Sequence, residues 1–400
     1  MLRNFVLSLA LFVGLASPAI AADASPFTIG VTNDQSGPYS DLAGPGSAEA
    51  ARMAVEDFGG SVLGRKIEVL VADNQNKVDV GLNIARQWFD EKGVDAIFDI
   101  TNSGVALALV DLAKSHNKVI VFGSASSSDL TGKACSLNTI QWNADNWSNS
   151  VALINRLIAE KLDTFYFITA DYAFGVSVET DARAAIEKAG AKTLGSVRAP
   201  LNTADFSSYL LSAQASGAKV VVFANTGADL SNSLKQANEF GLTPTQTLAT
   251  PITYLSDVNA IGLKLAHGLV FMQSWYWDLD DETRAFAKRF FDKRQRMPND
   301  NQVAVYSAVR HYLEAVRTLG SGDDGRAVVA AMKATPIHDV FTHDGHIRED
   351  GRVVYDRYLM RVKTPEQSKY PWDYLEVIAK VPAADAFRPL GATNCPLTQK

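Results

Sequence analysis

The stretch Val119–Leu130, VIVFGSASSSDL, decides the fold. Its apolar run stops at Gly123, and small or hydroxylated residues fill most of the positions after it. An apolar run bounded by Gly and Ser reads as a buried parallel strand, Val119–Phe122, opening into a loop. In an open α/β sheet, ligands sit outside the carboxyl ends of strands, where the connections part. Serine hydroxyls and close backbone N–H groups at such an end suit an anion, most simply a carboxylate. Each charge-assisted hydrogen bond there contributes about 1.5–3 kcal/mol. The alternative is a Ser-rich surface loop in which Asp129 caps a helical turn. A second polar loop, Thr101-Asn102-Ser103-Gly104, comes after the preceding strand. Two neighbouring strand ends with small polar donors read as a site.

Working outward, Phe27–Val31 alternates as a strand, and the turn-rich loop 34–46 leads to helical spacing over Ser47–Phe58. Strands are expected at Ile67–Ala72 and Asp95–Ile100, with helices at Val78–Glu91 and Ser103–His116. A second series comes next: strands Thr164–Thr169, Thr193–Val197 and Val220–Phe223, with helices Val176–Ala189, Asp205–Ala215 and Asp229–Phe240. One more strand lies near Gly268–Phe271. Such alternation indicates βαβ units and a parallel sheet, so the class is α/β. The halves echo one another, GRK to GVDAIF in the first and GAK to GAKVVVF in the second. After Phe271 come a helix entered through Asp280-Asp281-Glu282 and ending at Arg294, then a longer one, Gln302–Leu319. Gly351–Val362 reads as strand. These late helices can pack back on the first half, so the chain is expected to cross between halves near Asn143, Gln273 and Asp350.

The chain has 400 residues, is 47% hydrophobic and 20% charged, and carries a formal net charge of −6, ordinary for a globular protein of two domains. Arg3, the apolar run Phe5–Leu15 and Ala19-Ile20-Ala21 read as a signal peptide, 1–21, cleaved before Ala22. Losing Arg3 makes the mature chain one unit more negative, and no basic patch argues for nucleic acid. Without a cysteine at the cleavage site, no lipid anchor is expected, and export to the periplasm is. The only cysteines, Cys135 and Cys395, read as a disulfide in an oxidising compartment; two unpaired thiols are the alternative.

Catalytic signals are weak. Gly44-Pro45-Gly46-Ser47-Ala48-Glu49 comes after too long a loop for a dinucleotide fingerprint, and its third glycine is missing. No G-x-S-x-G, P-loop or H-E-x-x-H occurs. His338, His343 and His346 with Asp339 and Asp344 read as a structural turn rather than a metal site. Asp278–Glu282 reads as a capped helix entrance rather than a calcium loop. Neither metal nor cofactor is expected, and no enzyme. Phe98 and Phe223 belong to core strands. Tyr39, Tyr172, Phe174, Tyr254 and Trp275-Tyr276-Trp277 fall on loops or crossovers, where aromatics wall pockets.

In these residues the chain resembles the Leu/Ile/Val-binding (type I) family of periplasmic substrate-binding proteins, which deliver solutes to ABC transporters. The resemblance rests on the order and spacing of SGPYSDLAGPGSAEAARMAVED, LGRKIEVLVADNQNKVDVGLNIARQWFDEKGVDAIF, SGVALAL and DYAFGVSVE, and covers nearly the whole mature chain. It implies two doubly wound parallel-sheet lobes joined by three crossovers, closing on the ligand. The expected division is 22–143 with 273–350 for lobe 1, and 144–272 with 351–400 for lobe 2. The family's ligand carboxylate matches Asn102 or Ser103 and the loop Ser124-Ala125-Ser126. The lobe-two aromatic matches Phe174 with Tyr172 beside it; further contacts match Asn225 and Thr226, and Asn301 or Gln302, while Tyr39 and Tyr254 join the set from their loop positions. Amino-acid binders of the family place an acid in the loop matching Ala249–Tyr254, here ATPITY. A buried ammonium without an anionic partner costs several kcal/mol, so the set looks closer to the family's aromatic-acid binders. Asp41 or Asp145 can replace the missing acid.

The expectation is therefore a monomeric periplasmic protein that captures a small organic carboxylate, an aromatic acid first, and hands it to a membrane permease without chemistry. The alternatives are a branched-chain amino-acid or amide binder, and a ligand-sensing module for a membrane receptor.

Overall fold

The computed structural model describes residues 25–243 and 245–399; the signal peptide read at 1–21 lies outside them. Two parallel sheets organise the chain. In the first, the order is Arg65–Asp73, Phe27–Asn33, Val94–Phe98, Val119–Phe122, Thr139–Gln141, with Ser61–Val62 added antiparallel at the edge. In the second it is Lys192–Ala199, Thr164–Ala170, Val220–Ala224, Thr247–Ala249. Each series starts on an inner strand, lays its second strand on one side and its later strands on the other. That shared winding is the physical basis of the sequence echo. Val94–Phe98 and Val119–Phe122 are buried along their whole length, as continuous apolar runs in a covered parallel sheet should be.

Val270–Gln273, Arg357–Val362 and Leu375–Val381 form a separate antiparallel sheet. The strand expected over Gly351–Val362 is broken in two: Val353–Val354 pairs with His346–Ile347, and the chain turns before Arg357. Several short or weakly periodic elements were not anticipated, among them Thr139–Gln141, Asn146–Ala159, Thr247–Ala249, Leu255–Ile261, Gly325–Ala334 and Leu375–Val381. The long late helix begins at Asp300 rather than Gln302, because Asn299 is its cap: Gln302 N–H donates to Asn299 Oδ1 and Asn299 N–H to Gln302 Oε1.

This helix and Asp281–Arg294 lie against the first helix, Gly44–Phe58. Arg289 pairs with Asp57 at 2.6 Å, and Tyr306 donates to the same carboxylate. Gly123 permits the close approach on the sheet side, since a Cβ there would meet Val305 Cγ2 at 2.7 Å. The connections between the sheets meet in one buried knot. Ser274 Oγ donates to Asn143 Oδ1 (2.6 Å), Tyr355 OH reaches both, and Asn143 Nδ2 donates to Asn301 Oδ1. Cys135 and Cys395 are disulfide-bonded, with Cα atoms 5.7 Å apart. The end of the tail therefore lies on the loops of the first sheet, where Arg388 also donates to Ser128 O.

Candidate ligand-binding site

Strand ends of both sheets face a small, partly open chamber with room for about one water molecule (about 10 Å³), walled by Tyr39, Leu42, Thr101, Ser124, Ser126, Tyr172, Phe174, Thr226 and Tyr254. Each wall has a local cause. Asp34, fully buried, accepts from Gly37 N–H and Tyr39 N–H, and this turn carries Tyr39 across the opening. Tyr172 and Phe174 sit where Ala173–Lys188 starts, their rings stacked at 5.7 Å. Tyr254 precedes Leu255–Ile261. Tyr39 and Tyr172 meet hydroxyl to hydroxyl at 2.5 Å, joining the two halves over the chamber. Ser128 Oγ donates to Asp181 Oδ2, and Ala228 N–H to Pro38 O, closing the same seam elsewhere.

Of the residues proposed from sequence, Tyr39, Ser124, Ser126, Tyr172, Phe174, Thr226 and Tyr254 come together on this wall. Asn102, Ser103, Ala125, Asn225 and Asn301 stand behind it. Asn102 caps the helix Ser103–His116, its Oδ1 accepting from Gly104 and Val105 N–H, and its amide donates to Asn76 O. Ser103 opens that helix with its hydroxyl buried and unpartnered. Ala125 O accepts from Gln141, Asn225 donates to Ser233 Oγ, and Asn301 belongs to the knot. Trp275, Tyr276 and Trp277 are buried away from the chamber, with Trp275 donating to Val340 O and the other two to Trp372 O. Phe98 and Phe223 are fully buried core. Thr101 and Leu42 were missed. Thr101 lay in the quoted polar loop; nothing in the sequence marks Leu42 beyond its neighbour Tyr39.

The donors are not equal. Ser124 Oγ is hydrogen-bonded to Asp99, whose other oxygen accepts from Asn33 Nδ2. Burial raises the Asp99 carboxyl to about 6. Ser126 Oγ donates only to a neutral carbonyl, Ser124 O at 3.1 Å, and Thr226 Oγ1 is buried without a partner. Burial drives the hydroxyls of Tyr39, Tyr172 and Tyr254 far above their ordinary range, so they remain O–H donors at any physiological pH. No charged side chain lines the chamber among the described residues. Asp41 faces outward, paired with Arg296 at 2.8 Å. Asp145 caps Asn146–Ala159 and lies 4.0 Å from Arg352.

Burial also raises Asp181 and Asp257 to about 7 and Asp229 and Asp300 to about 6. These groups hold protons in the folded chain that the unfolded chain has released, so their contribution is complete below the ordinary carboxyl pKa. It is lost as pH rises through 6–7. His311, buried and lowered, acts in the opposite sense but is a single group. Between about pH 8 and about pH 5.5 the melting temperature is expected to rise by roughly 2–4 °C. A fall over that range in differential scanning calorimetry refutes this.

A model of the periplasmic binding protein family matches residues 26–369. A periplasmic binding protein from Burkholderia mallei is 41% identical, with a TM-score of 0.91 over 94% of this chain and 99% of that one. A branched-chain amino acid ABC transporter periplasmic ligand-binding protein from Burkholderia xenovorans is also 41% identical, with a TM-score of 0.81 over 93% and 100%. An ABC-transporter solute-binding protein from Rhodopseudomonas palustris, solved in complex with benzoate, is 18% identical, with a TM-score of 0.80 over 90% and 97%. All three are solute-binding proteins, not enzymes. Among the described residues no helix is long and apolar enough to cross a membrane.

Proposed function

The chain belongs to the periplasmic binding protein family, and we propose that within it the protein captures a small organic carboxylate, first an aromatic acid. It is a periplasmic substrate-binding protein of an ABC transporter. Its finer reading rests on one observation, a chamber between the two sheets whose wall is aromatic and hydroxylated and carries no charge. An ammonium inside it would lose its hydration against no anion, which costs several kcal/mol, comparable with the ~8 kcal/mol of a micromolar complex. A carboxylate instead finds hydroxyl donors. Ser126 exchanges a neutral carbonyl for a charged acceptor, and Thr226 gains a partner it lacks. Ser124, held by Asp99, keeps the loop in place. Tyr172 and Phe174 lie over the apolar body. The Tyr39–Tyr172 contact closes the chamber, so binding favours the shut state. Export to the periplasm through the leader at 1–21 and release to a membrane permease complete the reading.

Thermal-shift screening of aromatic acids, aliphatic acids and amino acids tests it. Strong stabilisation by leucine with no response to any des-amino acid would favour the second reading, a branched-chain amino-acid binder, in keeping with the Burkholderia xenovorans neighbour. Ser126→Ala should weaken the best acid by about 1–2 kcal/mol in calorimetry. Unchanged affinity removes that serine from the site.

A further inference from the structure

Behind Tyr254 lies a second small cavity, with room for about one water molecule (about 10 Å³) unless Tyr254 swings aside, bounded by Asn143, Asn149, Tyr254, Gln273, Asp300 and Arg357. Tyr254 lines both spaces and is the partition between them. Arg357 is 1% exposed. Its Nη2 donates to Asn149 Oδ1 at 2.7 Å, but its Nε and Nη1 donate to no atom of the described residues, and it forms no ion pair with any of them. The neighbouring Arg352 is better supplied, although its Nη1 also lacks a hydrogen-bond partner. Arg352 donates through Nε to Val353 O and through Nη2 to Asn143 O, and has Asp145 opposite. A buried guanidinium with two open nitrogens is expensive to maintain, and buried polar groups without partners are rare enough to need a reason. Asp300 lines the same cavity with Oδ1 unpartnered while Oδ2 accepts from Ser274 N–H, so it does not neutralise the arginine by contact.

We propose that this cavity is a second ligand subsite, in which Arg357 takes an oxyanion of the bound solute through Nε and Nη1. The inference rests on the reading of the first chamber as a carboxylate and aromatic site. It adds that the solute carries a second acidic group at its other end, reaching past Tyr254. Guanidinium and carboxylate match as a planar pair, and a side-on pair through Nε and one Nη leaves the Asn149 bond intact. Burial holds the Asp300 carboxyl up at about 6, so its opposition to an incoming anion falls only as the pH drops to 6 and below.

Calorimetry on the full mature protein with two matched pairs, benzoate with terephthalate and butyrate with glutarate, tests this. In at least one pair the diacid should bind about tenfold tighter or better, the yield of one charge-assisted contact. Arg357→Gln should bring that ratio close to one and leave the monoacid nearly unchanged. Arg357→Lys, which keeps the charge without the fork, should fall between them. Diacid preference in the aliphatic pair alone overturns the aromatic reading and upholds the subsite. Equal binding within both pairs, or no binding by any of the four, overturns the subsite on wild-type protein, whatever the variants do. Preference surviving in Arg357→Gln overturns it, as does equal loss of mono- and diacid, which would make Arg357 the only carboxylate receptor. Phenylalanine or leucine binding where diacids do not would assign the Arg357–Asp300 cavity to a zwitterion, and overturns it too.

Discussion

Gly227→Ala is expected to weaken solute capture by about 5- to 150-fold while leaving the protein folded. Gly227 opens the helix Gly227–Glu239 with φ +64°, and a Cβ there would lie 2.6 Å from Pro38 O and 3.0 Å from Tyr39 Cδ1. Both belong to the opposite half, so the clash exists only when the halves are shut. Overpacking of this kind costs about 1–3 kcal/mol, set against the closed state alone. The backbone strain acts in open and closed states alike. Gly217→Ala is the matched control, with the same φ of +64° and nothing within 4 Å of its Cβ. The two variants should share a denaturation midpoint, and only the first should lose affinity. Equal affinities would show that capture does not require contact at this seam.

Removing the disulfide should have the largest effect on stability. Cys135 and Cys395 are 260 residues apart in sequence, so the bridge closes most of the chain into a ring and restricts the unfolded state strongly. Cys135→Ser with Cys395→Ser is expected to lower unfolding stability by about 3–5 kcal/mol in denaturant titration. A second consequence is local. The tail braces the site loop through the bridge and through Arg388 on Ser128 O, so affinity should fall with stability. Loss of under about 1 kcal/mol would mean that the tail is held by packing and the covalent link is incidental.

Much of the fold was legible because its strongest signals are local. Continuous apolar runs such as Val119–Phe122 can only be strands buried on both faces, and the helices between them are long enough to show their period. The missed elements are short, like Thr139–Gln141, or have polar starts, like Asn146–Ala159, whose first turn is Asn, Trp, Ser, Asn. The break before Arg357 was hidden because Val353, Val354 and Tyr355 look like uninterrupted strand. For the candidate site, residues on strand-end loops were proposed from position and chemistry, and Thr226 from the family resemblance; those that line the chamber are the ones at the tips of those loops. What sequence could not separate was a polar side chain facing the chamber from one spent on the backbone: Asn102 and Thr101 are adjacent, and only geometry tells cap from wall. Arg357 was invisible for a related reason. An arginine at the start of a strand reads as an exposed edge, and its burial depends on residues distant in sequence, Asn149, Tyr254 and Asp300 among them.

The hydroxyl contact between Tyr39 and Tyr172 bears on timing. A solute shut behind that pair has to wait for the mouth to part before it can leave, so its residence time depends on the opening rate as well as its own grip on the wall. Weak and strong solutes would then enter at similar rates and differ in how often an opening lets them escape. A transporter that pulls the mouth apart could unload either kind without first having to loosen a single contact made by the solute.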